Sequence, residues 1–269
     1  MYNLRHGCSI GFNEYFEERL EEAEKAGFYS LEFGLCALWS YREKEKEFYK
    51  NLRPAFEKIK NSSLVLNSVH ISFGLNWEFS SPNEAVRVKS MDNLREILPV
   101  INEYAPNYLV IHPSFEPIDP ALRKAHKTAL VLSINEIKQL TSIKIAIENL
   151  PRTCLFNTAE EGLELLERIG GIYACVDVNH FLFETPQEGI RKLGKYIVTT
   201  HISDYDFIDE RHLLPTRGKI DWTAVIKAFE EVGYDGVFNS EITLAPRTDI
   251  TVTAVKRCFE NLFLTANEK

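Results

Sequence analysis

The chain is expected to fold as one α/β domain, a closed parallel (β/α)8 barrel over residues 1–269. Short apolar runs alternate with amphipathic helical stretches along the whole length, eight of each. No linker rich in Gly, Pro or Ser and no break in composition divides them, so the repeats read as one unit. A doubly wound open sheet is the weaker choice.

Strands are expected at 5–10, 29–34, 64–71, 107–112, 143–148, 172–177, 197–202 and 236–241, each a near-continuous apolar run suited to burial on both faces. Helices are expected between them, at 13–26, 43–60, 83–104, 121–140, 158–169, 186–194, 221–232 and 248–264. The first carries apolar residues at helical spacing and stops at Gly27, a residue suited to ending a helix. The second includes the charged run Arg42-Glu43-Lys44-Glu45-Lys46-Glu47, expected as a solvated helix face. Asp221, just before Trp222 and an apolar-periodic run, is expected as an N-cap.

Composition narrows the function classes. With 45% hydrophobic and 26% charged residues the chain resembles an ordinary globular protein. A formal charge of −8 argues against nonspecific binding to nucleic acid or to anionic membranes. Five scattered cysteines (Cys8, Cys36, Cys154, Cys175, Cys258) form no CxxC pair and read as reduced thiols that fill the core. No signal-peptide pattern opens the chain and no apolar stretch is long enough for a membrane span, so a soluble cytoplasmic protein is expected.

Four apolar runs in the second half each end in a residue able to bind metal: IAIE at Glu148, ACVD at Asp177, IVTTH at His201 and VFNSE at Glu241. A carboxylate at a buried strand tip is costly unless a cation or hydrogen bonds compensate it. Barrel strands five to eight would converge these side chains on one point at the C-terminal face. Three carboxylates and one imidazole suit a single divalent cation, Mn²⁺, Mg²⁺, Co²⁺ or Zn²⁺. Five of the seven histidines fall at that face: His201, His70, His112, His180 and His212. His70, His112, His180 and His212 are candidates for substrate contact, and His6 and His126 for structural or surface roles. Arg152, Arg211, Arg217 and Lys219 occupy nearby loops, where Arg217 is a candidate substrate contact. Trp39, Trp77, Phe181 and Phe183 are candidates to close over a ring.

Seven segments carry a family resemblance: SVHIS (68–72), VIHPS (110–114), IAIENLPR (145–152), CVDVNH (175–180), THISDYD (200–206), ERHLLPTRGKIDW (210–222) and SEI (240–242). Through them the chain resembles the xylose isomerase-like barrel superfamily, and within it the sugar phosphate isomerase/epimerase group. The resemblance implies a metal held by Glu148, Asp177, His201 and Glu241, with His180 contacting substrate. One segment departs, since the loop usually carries two close glycines and Thr216-Arg217-Gly218 keeps only the second.

Such a site suggests a metal-dependent isomerase or epimerase of a sugar or sugar derivative. Polarising a carbonyl acidifies the neighbouring C–H and stabilises an enediolate, while Glu148 and Glu241 move the proton. The expected partner is a small carbohydrate, with neither nucleic acid nor membrane. Three alternatives stand beside this reading. The first is an abasic-site nuclease resembling endonuclease IV, whose three-zinc cluster would use the extra histidines and Glu210. A sugar lyase or dehydratase would share the opening proton abstraction. A metal-free barrel could act as a binding subunit, although intact charged strand tips argue against it.

Overall fold

A computed structural model describes residues 2–35, 49–245 and 248–267. The charged run at 42–47, with Cys36 and Trp39, lies outside the described residues.

Eight parallel strands follow one another in space: β1 (Arg5–Gly11), β2 (Ser30–Gly34), β3 (Val65–His70), β4 (Tyr108–Ile111), β5 (Lys144–Glu148), β6 (Tyr173–Asp177), β7 (Ile197–His201) and β8 (Val237–Ser240). β8 pairs with β1, and a parallel bridge from Ile202 to Ser240 joins β7 to β8, so the sheet closes on itself. The closing bonds run from Ile202 N to Asn239 O (2.8 Å) and from Glu241 N to Ile202 O (3.2 Å). The last of these fixes the backbone of a predicted metal ligand.

The described helices are α1 (Phe16–Lys25), α2 (Leu52–Asn61), α3 (Glu84–Tyr104), α4 (Arg123–Leu140), α5 (Ala159–Ile169), α6 (Pro186–Leu193), α7 (Trp222–Glu231) and α8 (Val252–Asn267). Asp221 caps α7 as expected, accepting from Ala224 N at 3.1 Å. The final helix begins at Val252, four residues later than position 248: Thr248 donates to Thr243 O (2.9 Å) in the preceding turn, and Thr251 Oγ1 caps the helix by accepting from Ala254 N (3.2 Å).

Alternation along each strand separates two environments. Leu31, Phe33, Val69, Leu109, Ile111, Ile145, Ile147, Val176 and Phe238 join one large apolar cluster with the helices. The intervening positions face the barrel axis, where Val110, Ala146 and Cys175 form a small separate cluster. Ser30, Glu32, Ser68, Thr199 and Asn239 share that parity and are buried. The strands are therefore covered on both faces, as their composition suggests, but the inner face is substantially polar.

Candidate metal centre at the barrel mouth

Glu148, Asp177, His201 and Glu241 converge as their strand positions predict, with ligand atoms all within 4.8 Å of one another. Two local devices hold the ends of β5 to β7. Asn149 clamps Asp177 by its main chain, accepting from Asp177 N (2.7 Å) and donating to Asp177 O (2.9 Å). A register shift between Ala174 and Cys175 then brings Asp177 level with His201.

Glu148 is the hub. Its Oε1 lies 3.0 Å from His201 Nδ1, and its Oε2 lies 3.0 Å from His70 Nε2 and 3.1 Å from His112 Nε2. Burial alone would raise this carboxyl, but the positive field of His201 and His112 holds it well below the usual carboxylate range. Burial would likewise lower His201, yet Cys175, Glu241, Glu32 and Glu148 around it keep its imidazole well above the ordinary histidine value. Asp177 is pushed up to about 7, chiefly by burial, with Glu241 and Glu148 adding repulsion against the relief that His180 gives.

The donor set fits a divalent cation. Asp177 Oδ1 is engaged by Asn179 N at 2.7 Å, whereas buried Asp177 Oδ2 and Glu241 Oε2 have no hydrogen-bond partner among the described residues. Unpaired carboxylate oxygens at such depth are costly, and a cation coordinated there would compensate both.

The other histidines also turn toward this centre. His70 Nδ1 donates to Ile71 O (2.9 Å), His180 Nδ1 to Asn149 O (2.9 Å) and His212 Nδ1 to Glu241 O (3.0 Å). A carbonyl can only accept, so Nδ1 carries a proton in each ring and Nε2 is the nitrogen left for other partners. His180 Nε2 stands 3.0 Å from Glu210 Oε2 and 3.3 Å from Asp177 Oδ2. Three further groups of potential ligands result among the described residues: His70–His112–Glu148, His70–His201–Glu241 and His180–Glu210–His212. His212 and Arg152 both have positive φ, +48° and +53°, the kind of strained backbone that persists where surroundings fix a side chain's aim.

Two open cavities of about 360 and 310 Å³ meet at the mouth, sharing Phe73, His212 and Glu241 as walls. Glu148, His112, His180, Glu210 and Arg152 line the smaller; His70, Asn13, Tyr15 and Arg19 line the larger. Arg217 stands apart: it lines neither cavity and is more than half exposed, 3.9 Å from Asp249. Arg152 is surrounded by carboxylates, with Glu116 and Asp209 at 2.5 Å and Glu210 at 3.0 Å. Arg211 pairs with Asp206 at 2.9 Å. Trp77 and Phe181 are buried and Phe183 is exposed, none of them lining the mouth; Phe73 and Tyr15 take that place.

Sequence reasoning missed two members of the centre. Glu32 on β2 is fully buried, with Oε1 2.9 Å from His201 Nε2. Its signal is an acid inside the apolar run SLEFG. Glu210, considered only for a nuclease, joins His180 and Arg152 across the mouth.

Residues 20–260 match the profile described as the xylose isomerase-like TIM barrel. The inosose isomerase of Bacillus subtilis is 25% identical over 44% of this chain and 47% of its own length. An uncharacterised protein of Methanocaldococcus jannaschii is 26% identical over 57% of this chain, which spans 62% of that protein. Among solved structures, a D-tagatose 3-epimerase-like protein superposes with a TM-score of 0.80 at 23% identity, covering 97% of this chain and 98% of the other. The IOLI protein, solved with a zinc atom, gives 0.77 at 18% identity, covering 96% and 97%. At these identities the structural likeness establishes the shared barrel. On the profile match across most of its length, the chain belongs to the xylose isomerase-like TIM barrel family.

Proposed function

We propose that this protein is a divalent-metal-dependent isomerase or epimerase of a sugar or sugar derivative. The observation that carries the reading is the meeting of Glu148 and Glu241 with Asp177 and His201 at an open cavity. Those four residues would hold one Mn²⁺, Mg²⁺, Co²⁺ or Zn²⁺. When bound, the cation supplies Lewis-acid stabilisation of charge developing on a substrate oxygen.

The chain's own groups handle the proton. Glu148, kept ionised by His201 and His112, is the group placed to accept one from carbon. Glu241 reaches the cavity from another strand, with 29% of its side chain exposed; the proton is returned either by Glu148 itself or by Glu241 carrying one taken from solvent. Return to the neighbouring carbon interconverts aldose and ketose; return to the opposite face epimerises. His180, His70, His112 and His212 supply hydrogen bonds to substrate hydroxyls, and the walls at Phe73 and Tyr15 exclude water. The names of the B. subtilis isomerase and the tagatose epimerase-like protein support this reading. A lyase or dehydratase would open with the same abstraction and then expel a leaving group, so product analysis separates the two.

A second reading rests on two of the additional groups, His70–His112–Glu148 and His180–Glu210–His212. Inward-facing Nε2 atoms on His70 and His180 suit more than one cation, as a three-zinc abasic-site nuclease requires. Elemental analysis of protein purified without added metal or chelator decides between them. The isomerase reading expects about one Mn, Mg, Co or Zn per chain, ketose turnover, and a fall of about 10²–10⁴-fold in Glu148→Gln. Near three zincs per chain with cleavage of abasic DNA would replace it.

A further inference from the structure

His70, His180 and His212 hang from main-chain carbonyls through Nδ1, and Nε2 of His70 and His180 reaches Glu148 and Glu210. His201 is reversed. Its Nδ1 faces Glu148 Oε1 (3.0 Å) and Glu241 Oε2 (3.2 Å), while its Nε2 faces Glu32 Oε1 at 2.9 Å. Both side chains are fully buried. Although the spacing suits a hydrogen bond, the angle does not, and neither atom has another hydrogen-bond partner among the described residues.

The fold builds this contact deliberately. The β2–β3 register shifts between Leu31 and Glu32, so that Glu32 lies level with Ser68. Ser68 Oγ then donates to Glu32 Oε2 at 2.8 Å, leaving Oε1 for the imidazole. A carboxylate buried this deeply has no solvent to replace those partners.

We infer that Glu32 is a positioning residue for the metal centre: once a cation displaces the proton that Nδ1 shares with Glu148 Oε1 (3.0 Å), Glu32 holds the remaining proton of His201 on Nε2 and leaves Nδ1 as the ligating atom. The assignment rests on the metal-dependent reading of the site. A carboxylate behind a ligating histidine orients the ring and raises its basicity more than a neutral carbonyl does. Glu32 thus acts through His201, without touching substrate.

The test titrates metal-free wild type and Glu32→Gln with Zn²⁺ and with Co²⁺ against a competing chelator. Glutamine keeps the shape and an acceptor oxygen but removes the charge. The variant should bind about 10–100-fold more weakly. Long-range ¹H–¹⁵N spectra of the zinc-loaded wild type, which need no variant to fold, should show His201 protonated at Nε2 and metal-shifted at Nδ1. Equal affinities, or a His201 proton on Nδ1, would overturn the role of Glu32 while leaving a metal centre in place. A wild type that binds neither cation would overturn both this role and the metal-dependent function.

Discussion

Thr216 holds φ at +74°, a region where its β-branched side chain crowds the backbone. This is the place at which the sequence lacks the first of two glycines, so the departure is visible as strain. Asp204 keeps the loop there regardless. Its carboxylate accepts from Thr216 N (2.8 Å), Ile220 N (3.1 Å) and Trp222 Nε1 (2.9 Å). Gly218 survives because a Cβ would lie only 2.2 Å from Asp204 Oδ1. Thr216→Gly should relieve the strain and raise stability by up to about 1 kcal/mol, net of the extra unfolded-state freedom of glycine. The urea midpoint reads this, and a lower midpoint would show that the threonine side chain contributes more than its backbone costs. At this scale the strand-tip acids and histidines were legible because position and chemistry coincide. Glu32 was not, since it sits inside its strand and its partner His201 is 169 residues away, a pairing that only barrel closure creates.

Among the elements, α4, α5 and the loop before α5 are tied through Glu161. Arg123 Nη2 (2.5 Å), Lys127 Nζ (3.1 Å) and Phe156 N (2.7 Å) all reach its carboxylate, which is 9% exposed. Burial would raise this carboxyl; Arg123 and then Lys127 outweigh it and hold it below its ordinary 4.5. Because the folded group titrates below the unfolded one, its contribution is complete above about pH 4.5 and disappears as pH falls through the folded value. Glu161→Gln should therefore destabilise by about 1–3 kcal/mol at pH 7. In urea unfolding the gap should shrink steadily as pH is lowered from 4.5, and a gap that stays constant down to the acid limit of folding would refute the charge-based account. Strand boundaries follow the apolar runs closely; β3, β4 and β8 are each one residue shorter at both ends than the runs suggest, and Val65 at the start of β3 is exposed. Helix starts are less legible where one threonine bonds a preceding turn and another caps the helix, as Thr248 and Thr251 do before α8.

Over the whole molecule, closure of β7 onto β8 turns eight separate strand ends into one mouth. The alternation of runs was enough to read that architecture, because each apolar strand needs cover on both faces. Loop contributions were harder to read. Arg152 could be placed only in a loop near the mouth, where Glu116, Asp209 and Glu210 arrive from two other loops to surround it. Arg217, on the same loop as His212, turns away from both cavities. Nothing in local sequence separates an arginine that faces the mouth from one that faces solvent.

Proton transfer between substrate carbon and the centre formed by Glu148 and Glu241 is the core of the functional account. The direct measurement is incubation of metal-loaded protein with ketoses in D₂O, following deuterium at the carbon beside the carbonyl by NMR. The account predicts incorporation that needs the cation, accompanies a change of configuration or carbonyl position, and falls at least about 10²-fold in Glu148→Gln. Metal-loaded protein that exchanges no carbon-bound proton in any ketose, while cleaving abasic DNA, would contradict it.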